Sequence, residues 1–102
     1  MNSVRVVVRL PSVLAAQDGV AARVMLDVAG PDVTVDAVLD ALEALHPGVG
    51  RRIRDERGVV RPHVNLFLGR GEDFLRAGQR STVTAGAELI VLPAVSGGAC
   101  KV

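Results

Sequence analysis

The stretch TVDAVLDALEALHPG, residues 34–48, decides the fold class. Thr34 can cap the amino end of a helix, and Asp36 lies in the first turn, where the helix dipole favours a negative charge. Apolar side chains recur at spacings of three and four, typical of one helix face: Val35, Val38, Leu39, Leu42 and Leu45. Pro47-Gly48 ends the pattern. The sequence therefore predicts one amphipathic helix over residues 35–45.

Two strand-like segments precede the helix. Residues 4–10 are rich in Val and end at Pro11, which cannot continue a hydrogen-bonded ladder. Residues 23–28 alternate apolar and polar side chains, as a strand with one buried face does. Residues 11–19 are expected to form a loop, so the two segments make a hairpin with a long connection.

Further strands are predicted after the helix. Residues 64–68 and 88–92 are the strongest candidates and 74–75 a short one, and residues 88–92 are apolar enough to be buried on both faces. Gly69-Arg70-Gly71 falls in a turn and does not lead from a strand into a helix, so it is not a phosphate-binding loop. The order ββ-α-ββ(β) predicts an α+β fold, with a mixed four- to five-stranded sheet packed on one main helix. A parallel pairing of the first and last strands would make this the β-grasp, or ubiquitin-like, layout.

Length and composition exclude several classes of function. The chain has 102 residues, and 49% of them are apolar but only 2% aromatic, so we expect one small domain with an aliphatic core. Twelve basic and eleven acidic residues leave a net charge of +1, which argues against a nucleic-acid partner. No apolar run approaches the ~20 residues of a membrane span. With one cysteine and no leader pattern, we expect a soluble, cytoplasmic protein with no membrane contact.

The sequence offers no constellation typical of an enzyme. Three carboxylates share the polar face of the helix and are expected to be solvated: Asp36, Asp40 and Glu43. Two lone histidines and a distant cysteine lack the clustering of a metal site: His46, His63 and Cys100. The mixed-charge run from Arg51 to Arg57 is either a solvated face or a contact for an acidic partner, and both interpretations stay open. We expect no enzymatic activity and no bound metal or cofactor.

The carboxyl end carries the most specific motif. The last predicted strand continues as Leu92-Pro93-Ala94-Val95-Ser96-Gly97-Gly98. Two glycines after a packed strand make a thread without side chains, which can enter a channel where any Cβ would clash. A frayed terminus is the alternative interpretation. We expect a β-grasp domain over residues 1–95 and a flexible tail over residues 96–102.

With these motifs the chain resembles the MoaD/ThiS-like small sulfur-carrier family, and within it the carrier that feeds cysteine synthesis in actinobacteria. The resemblance runs from about Val4 to Gly98. It rests on the Leu92–Gly98 motif above all, and also on the predicted helix with its Pro47-Gly48 end and on residues 64–68.

The resemblance implies that the chain is a carrier on which partner enzymes act. An E1-like enzyme would use ATP to adenylate the carboxylate of Gly98, and sulfur would then displace AMP to leave a thiocarboxylate. Gly97 would be the slender approach to this site. Leu68 and Leu92 align with apolar positions at which the family docks its partners. A sulfur-accepting synthase, cysteine-synthase-like by preference, would receive the sulfur, and we expect the carrier to be monomeric between encounters.

The chain departs from the family pattern after the diglycine. It continues with Ala99-Cys100-Lys101-Val102, so Gly98 as written has no free carboxylate. We expect a JAMM-type metalloprotease to cut between Gly98 and Ala99, which would discard Cys100. The alternative is that residues 99–102 are foreign to the natural protein.

Two other functions remain open. The first is a ubiquitin-like modifier conjugated through Gly98. The only lysine is Lys101, so a chain ending at Gly98 has a net charge of 0 and cannot carry lysine-linked chains of itself. The second is a non-catalytic interaction module, whose binding would survive loss of Gly97 and Gly98. Molybdopterin, thiamine or a specialised metabolite are alternative destinations for the sulfur.

Overall fold

The computed structural model describes residues 3–17 and 19–93. The described residues form eight elements: β1 Ser3–Arg9, α1 Ser12–Gln17, β2 Arg23–Ala29, α2 Val35–Leu45, α3 Pro47–Ile53, β3 Val64–Arg70, β4 Asp73–Arg76 and β5 Glu88–Pro93. Within these residues, no helix is both long enough and apolar enough to cross a lipid bilayer.

The described strands form one five-stranded sheet in the order β2-β1-β5-β3-β4. Strand β5 runs parallel to β1, while the pairs β1–β2, β3–β5 and β3–β4 are antiparallel. The first and last strands therefore lie side by side, joined by a crossover that contains α2. This arrangement confirms the predicted α+β, β-grasp fold.

The core lies between one face of the sheet and α2. Thr34 caps α2 as predicted, because its hydroxyl accepts a hydrogen bond from the amide of Ala37. The buried side of α2 consists of Val35, Val38, Leu39 and Leu42. Leu45, the last member of the predicted stripe, is 60% exposed because it lies at the margin of that stripe and at the end of the helix. The aliphatic core is completed by alternating residues of the strands, such as Val6, Val8, Leu89 and Val91.

Strand β5 is buried on one face only, so the prediction of a strand buried on both faces is wrong. Leu89 and Val91 are buried, whereas Glu88 and Ile90 are half-buried. The helices cover one side of the sheet, and the opposite side carries ion pairs such as Arg9 to Glu88 at 3.2 Å. A strand in such a sheet needs apolar residues only at every second position. Ile90 is apolar although it lies on the other face, so the sequence of β5 resembles that of a strand buried on both faces.

Two short helices occupy stretches for which the sequence predicted a loop or, within residues 51–58, no more than a short helical turn. Helix α1 replaces much of the predicted loop at residues 11–19, and its six residues are too few to establish a helical period. Helix α3 begins at Pro47, in the stretch predicted to end α2. Proline at the first helical position has no hydrogen bond to lose, so it can end one helix and begin the next.

Gly50 allows α3 to lie directly against α2. A Cβ at this position would be 2.5 Å from the Cβ of Glu43, which is closer than two carbon atoms can approach. The glycine therefore serves helix packing here, and the two helices can form a compact corner beside the sheet.

Candidate functional site

The predicted processing and sulfur-bearing residues Gly97, Gly98 and Ala99 lie outside the described residues. The structure describes the strand that precedes them in the sequence. Strand β5 is bonded to β1 on one side and to β3 on the other, with Pro93 opposite Val64. Gly98 is the fifth residue after Pro93, and five residue steps span at most roughly 17 Å. Gly98 is therefore tied closely to one end of a strand in the middle of the sheet.

The two predicted docking residues, Leu68 and Leu92, lie on opposite faces of the sheet. Leu68 pairs with the fully buried Leu89 and packs partly buried against the core. Leu92 lies three positions after Leu89, so its side chain leaves from the other face, and it is 43% exposed. The structure does not bring these two side chains into one patch. Of the two, Leu92 is the one beside the segment that leads to Gly98.

A groove opens where β5 ends, and we call it the tail-root groove. Its volume is about 750 Å³. Three parts of the chain line it. Residues in and just before α1 are Pro11, Val13, Leu14 and Gln17, and residues of α3 are Gly48, Arg51 and Arg52. The others lie just before or at the start of β3 and at the end of β5: Arg61, His63, Val64, Val91, Leu92 and Pro93. The groove thus combines an aliphatic surface with a basic rim, immediately beside the point where the chain continues toward Gly98.

The charged side chains among the described lining residues of the tail-root groove are all basic. Arginines and a histidine stand at its rim, and none of its described lining residues is acidic. The side chain of Arg51 is 66% exposed, and its nearest carboxylate, from Glu43, is 3.9 Å away. The Nε atom of Arg61 donates a hydrogen bond of 2.8 Å to the carbonyl of Arg51, which joins two sides of the rim. Val13 on α1 is 70% exposed, an unusually open position for a valine.

A cluster of charges holds α3 in place. Arg54 follows α3 with a side chain only 8% exposed, and its two terminal nitrogens donate hydrogen bonds of 2.8 to 3.2 Å to three carboxylates of α2: Asp36, Asp40 and Glu43. Its Nε atom is buried without a hydrogen-bond partner among the described residues. The prediction that these carboxylates form a solvated face holds for Asp40, which is 72% exposed, but Asp36 and Glu43 are partly buried against Arg54.

The environment of Arg54 keeps its guanidinium charged. Burial by itself would lower the pKa of Arg54, but hydrogen bonding and charge attraction from Asp40, with hydrogen bonds from Glu43 and Asp36, outweigh burial and raise it. Gln79 extends the cluster, because its amide nitrogen donates to both Asp36 and the carbonyl of Gly58, each at 2.7 Å. This network fixes the position of α3 and so of the rim residues Arg51 and Arg52. It is a structural device and presents no free acid or base for catalysis.

The sequence did not point to the tail-root groove, since both α1 and α3 contribute to it and neither was predicted as a helix. Two signals were nevertheless present: the apolar pair Val13-Leu14 two residues after Pro11, and the option that the Arg51–Arg57 run contacts an acidic partner. His46 lies at the junction of α2 and α3 as a cap residue, as expected. His63 lies on the rim of the groove, at the start of β3.

Comparisons with known proteins agree with this architecture. No protein-family model matches the chain. The chain is 40% identical over 75 residues to small archaeal modifier protein 1 of Haloferax volcanii, a match that covers 74% of this chain and 80% of that protein. The crystal structure of the Haloferax protein superposes with a TM-score of 0.75 and 35% identity, over 92% of this chain and 99% of the other.

Two actinobacterial structures are also similar. One is from a BexX/CysO complex of Amycolatopsis orientalis, with a TM-score of 0.70 and 27% identity, over 91% of this chain and 99% of that one. The other is CysO of Mycobacterium tuberculosis, with a TM-score of 0.67 and 26% identity, over 88% and 99%. Taken with the match to the archaeal modifier and the shared sheet, these similarities show that the chain belongs to the family of ubiquitin-like β-grasp small modifiers and sulfur carriers.

Proposed function

We propose that the protein is a sulfur carrier whose working end is Gly98, exposed when residues 99–102 are removed. The observation that carries this proposal is the position of the diglycine, five residues beyond a strand held on both sides in the sheet of a β-grasp domain. Membership of the modifier and carrier family supports it. The domain gives a rigid base, and the two glycines give a thread narrow enough for an enzyme's channel.

The proposed chemistry takes place on the terminal carboxylate. A carboxylate oxygen of Gly98 attacks the α-phosphorus of ATP and releases pyrophosphate, which leaves an acyl-adenylate. A hydrosulfide ion then attacks the carbonyl carbon, the bond from this carbon to the AMP oxygen breaks, and AMP departs to leave a chain that ends in a thiocarboxylate. ATP belongs to the E1-like activating enzyme, and the carrier itself supplies no catalytic side chain. We place this chemistry in the cytoplasm.

Cysteine synthesis is our first choice for the destination of the sulfur. The similarity to the CysO structures of two actinobacteria supports this choice. A cysteine-synthase-like enzyme would then accept sulfur from Gly98. Molybdopterin, thiamine and specialised-metabolite synthesis are the other destinations, and an accepting enzyme identified for the protein would decide between them.

The proposal is tested by intact-mass measurement. A chain ending at Gly98 is incubated with ATP, a sulfide source and its E1-like enzyme, and we expect its mass to rise by the exchange of one oxygen for one sulfur. A chain ending at Gly97, treated in the same way, separates a requirement for Gly98 from reaction at any carboxyl terminus. Unchanged mass of the Gly98 chain in the presence of an active enzyme would exclude the sulfur-carrier function.

A modifier function is the second candidate, because the relative that is 40% identical is a small archaeal modifier protein. Conjugation of Gly98 to lysines of other proteins would give adducts that resist thiols and denaturants. Since Arg80 is the last arginine before Gly98, trypsin would leave residues 81–98 on the target lysine. A Ser96→Arg variant would instead leave only two glycines, which mass spectrometry detects readily.

If conjugates form, we expect each lysine of a target to carry one copy and no ladder of linked copies. Residues 1–98 contain eleven arginines and no lysine, and an arginine, which stays charged in proteins, does not act as an acyl acceptor. An Arg57→Lys variant is the matched control, because it adds one lysine at an exposed position without changing the charge. Lysine-linked ladders from the variant alone are the expected result, and ladders from the unaltered chain would contradict it.

A further inference from the structure

We propose that the tail-root groove binds a segment of the partner enzyme that combines acidic side chains with an aliphatic or aromatic one. This inference rests on the proposed function, because it assigns the groove to an enzyme that acts on Gly98. The occupant is identified by its chemistry: carboxylates for the arginine rim and an apolar side chain for the surface between α1 and β5.

The charges of the groove select an acidic partner. Arg51, Arg52 and Arg61 stand at its edge, and its described lining residues include no aspartate or glutamate. Carboxylates of a partner can bind arginine through two parallel hydrogen bonds. A surface whose charges all have the same sign also increases the rate at which it meets an oppositely charged surface.

The apolar part of the groove includes two exposed aliphatic side chains. Val13 is 70% exposed and Leu92 43% exposed, and they lie at the same groove although they come from different elements. A small-molecule site buries most of its ligand, whereas this groove is open along one side, which favours a peptide segment as its occupant. One or two partner side chains seated between these residues would remove apolar surface of both proteins from water.

The position of the groove connects it to the reaction. Pro93 lines it, and Gly98 can be no more than roughly 17 Å from Pro93 along an extended chain. An enzyme that holds Gly98 in its active site therefore has other parts of its surface over the groove. Docking there would hold the end of β5 against the enzyme and so raise the effective concentration of Gly98 at the active site.

The first experiment uses a defined peptide and does not depend on any enzyme. A synthetic hexapeptide with a Leu-Phe centre and two acidic residues on each side is titrated into the ¹⁵N-labelled full chain. We expect amide shifts at groove residues such as Val13, Arg52 and Val64. A peptide with lysines in place of the acidic residues, and one with an Ala-Ala centre, should each bind at least about tenfold more weakly.

Charge reversal identifies the rim. In an Arg51→Glu, Arg52→Glu variant we expect affinity for the acidic peptide to fall at least about tenfold, with the dependence on salt largely lost. The matched control is Arg57→Glu, Arg80→Glu, which makes the same change in net charge at exposed arginines outside the groove lining. A dispersed amide spectrum confirms that both variants are folded. Equal loss of affinity in both variants, or shifts centred elsewhere, would overturn the inference.

Other occupants give different spectra. If a chain ending at Pro93 binds the peptide and the full chain does not, the groove belongs to the chain's own carboxyl-terminal segment. If the groove amides shift with protein concentration before peptide is added, it belongs to a second copy. Either result overturns the inference.

The last arm uses the activating enzyme. For the Gly98-terminated Arg51→Glu, Arg52→Glu variant, we expect the KM for the carrier to rise at least about tenfold while kcat stays within about twofold. If Gly98-terminated chains with Arg51→Glu, Arg52→Glu and with the control pair Arg57→Glu, Arg80→Glu form thiocarboxylate with the same KM, the docking inference is overturned and the carrier function is left intact. Peptide binding at the groove with no thiocarboxylate on a Gly98-terminated chain that is otherwise unaltered would instead exclude the carrier function and, with it, the assignment of the groove to that enzyme.

Discussion

Replacement of Arg54 by alanine is expected to destabilise the domain by about 2–4 kcal/mol, which corresponds to a fall in Tm of roughly 10–20 °C. The substitution removes the cation between Asp36, Asp40 and Glu43 and leaves three carboxylates facing one another. Removal of one partner from a fully buried ion pair costs about 3–5 kcal/mol. We expect less than the upper end here, because the carboxylates are between 36% and 72% exposed and can recover water.

Two substitutions on the same segment test this explanation. Arg51→Ala removes an arginine that is 3.9 Å from the same Glu43 but 66% exposed, and we expect a change within about 0.5 kcal/mol. Arg54→Lys keeps the charge but loses the planar group that serves three carboxylates at once, so its stability should fall between those of the unaltered chain and the alanine variant. Denaturant unfolding of the four proteins gives the free energies.

The dependence on salt separates lost charge from lost packing. Salt screens the repulsion among the three carboxylates that Arg54→Ala leaves without their cation, which are 36% to 72% exposed. The difference in unfolding free energy between the unaltered chain and Arg54→Ala should therefore be smaller at about 1 M salt than at about 0.1 M. A difference that is the same at both concentrations would assign the effect to packing, and a difference under about 0.5 kcal/mol at low salt would contradict the structural role.

Sequence patterns predict well the elements that are long enough to repeat their helical or strand period several times. Helix α2 contains three turns of apolar spacing, and β1, β2, β3 and β5 each contain several alternating or β-branched positions, so their existence and order could be inferred. Their order then predicts the parallel pairing of β1 with β5, because the crossover through α2 brings the last strand beside the first. Helices α1 and α3, with six and seven residues, contain too little pattern to be recognised.

The tail-root groove and the Arg54 cluster could not be predicted for a related reason. The run from Arg51 to Arg57 contains exposed and buried arginines side by side, and composition does not distinguish them. Arg54, directly after α3, is buried against the carboxylates of α2, whereas Arg51, three residues earlier and 3.9 Å from the same Glu43, has a side chain that is 66% exposed. Only the packing of α3 against α2 decides which arginine stabilises the fold and which faces the groove.

The second large effect concerns the four residues after Gly98. We expect the full chain, incubated with ATP, sulfide and the activating enzyme but no protease, to form no detectable thiocarboxylate, whereas a chain ending at Gly98 is converted. In the full chain the carbonyl of Gly98 is part of a peptide bond, so no carboxylate oxygen is present to attack ATP. The measurement is intact mass, with AMP release as a second readout.

Addition of a JAMM-type metalloprotease should restore the reaction of the full chain, and an Ala99→Pro variant should stay inactive. Proline makes the bond after Gly98 a tertiary amide without an N–H group and places its ring on the nitrogen of the bond to be cut, so a protease that needs this N–H or the space around it cannot cleave the bond. The same substitution leaves residues 3–17 and 19–93 unchanged, so the unfolding free energy should match that of the unaltered chain. A chain ending at Gly98 is already processed and should react equally with and without the protease.

The outcomes of this experiment distinguish three failures. Thiocarboxylate on the unprocessed chain would show that its sulfur is carried at Val102 and would remove Gly98 from the mechanism. Active protein isolated from its own cells with Val102 still present would exclude processing, while a Gly98-terminated chain that never reacts would exclude the carrier function as a whole. Only conversion that follows cleavage, and is blocked by Ala99→Pro, joins the β-grasp domain, the diglycine and the four-residue extension in one mechanism, because each of the other results leaves one of the three without a role.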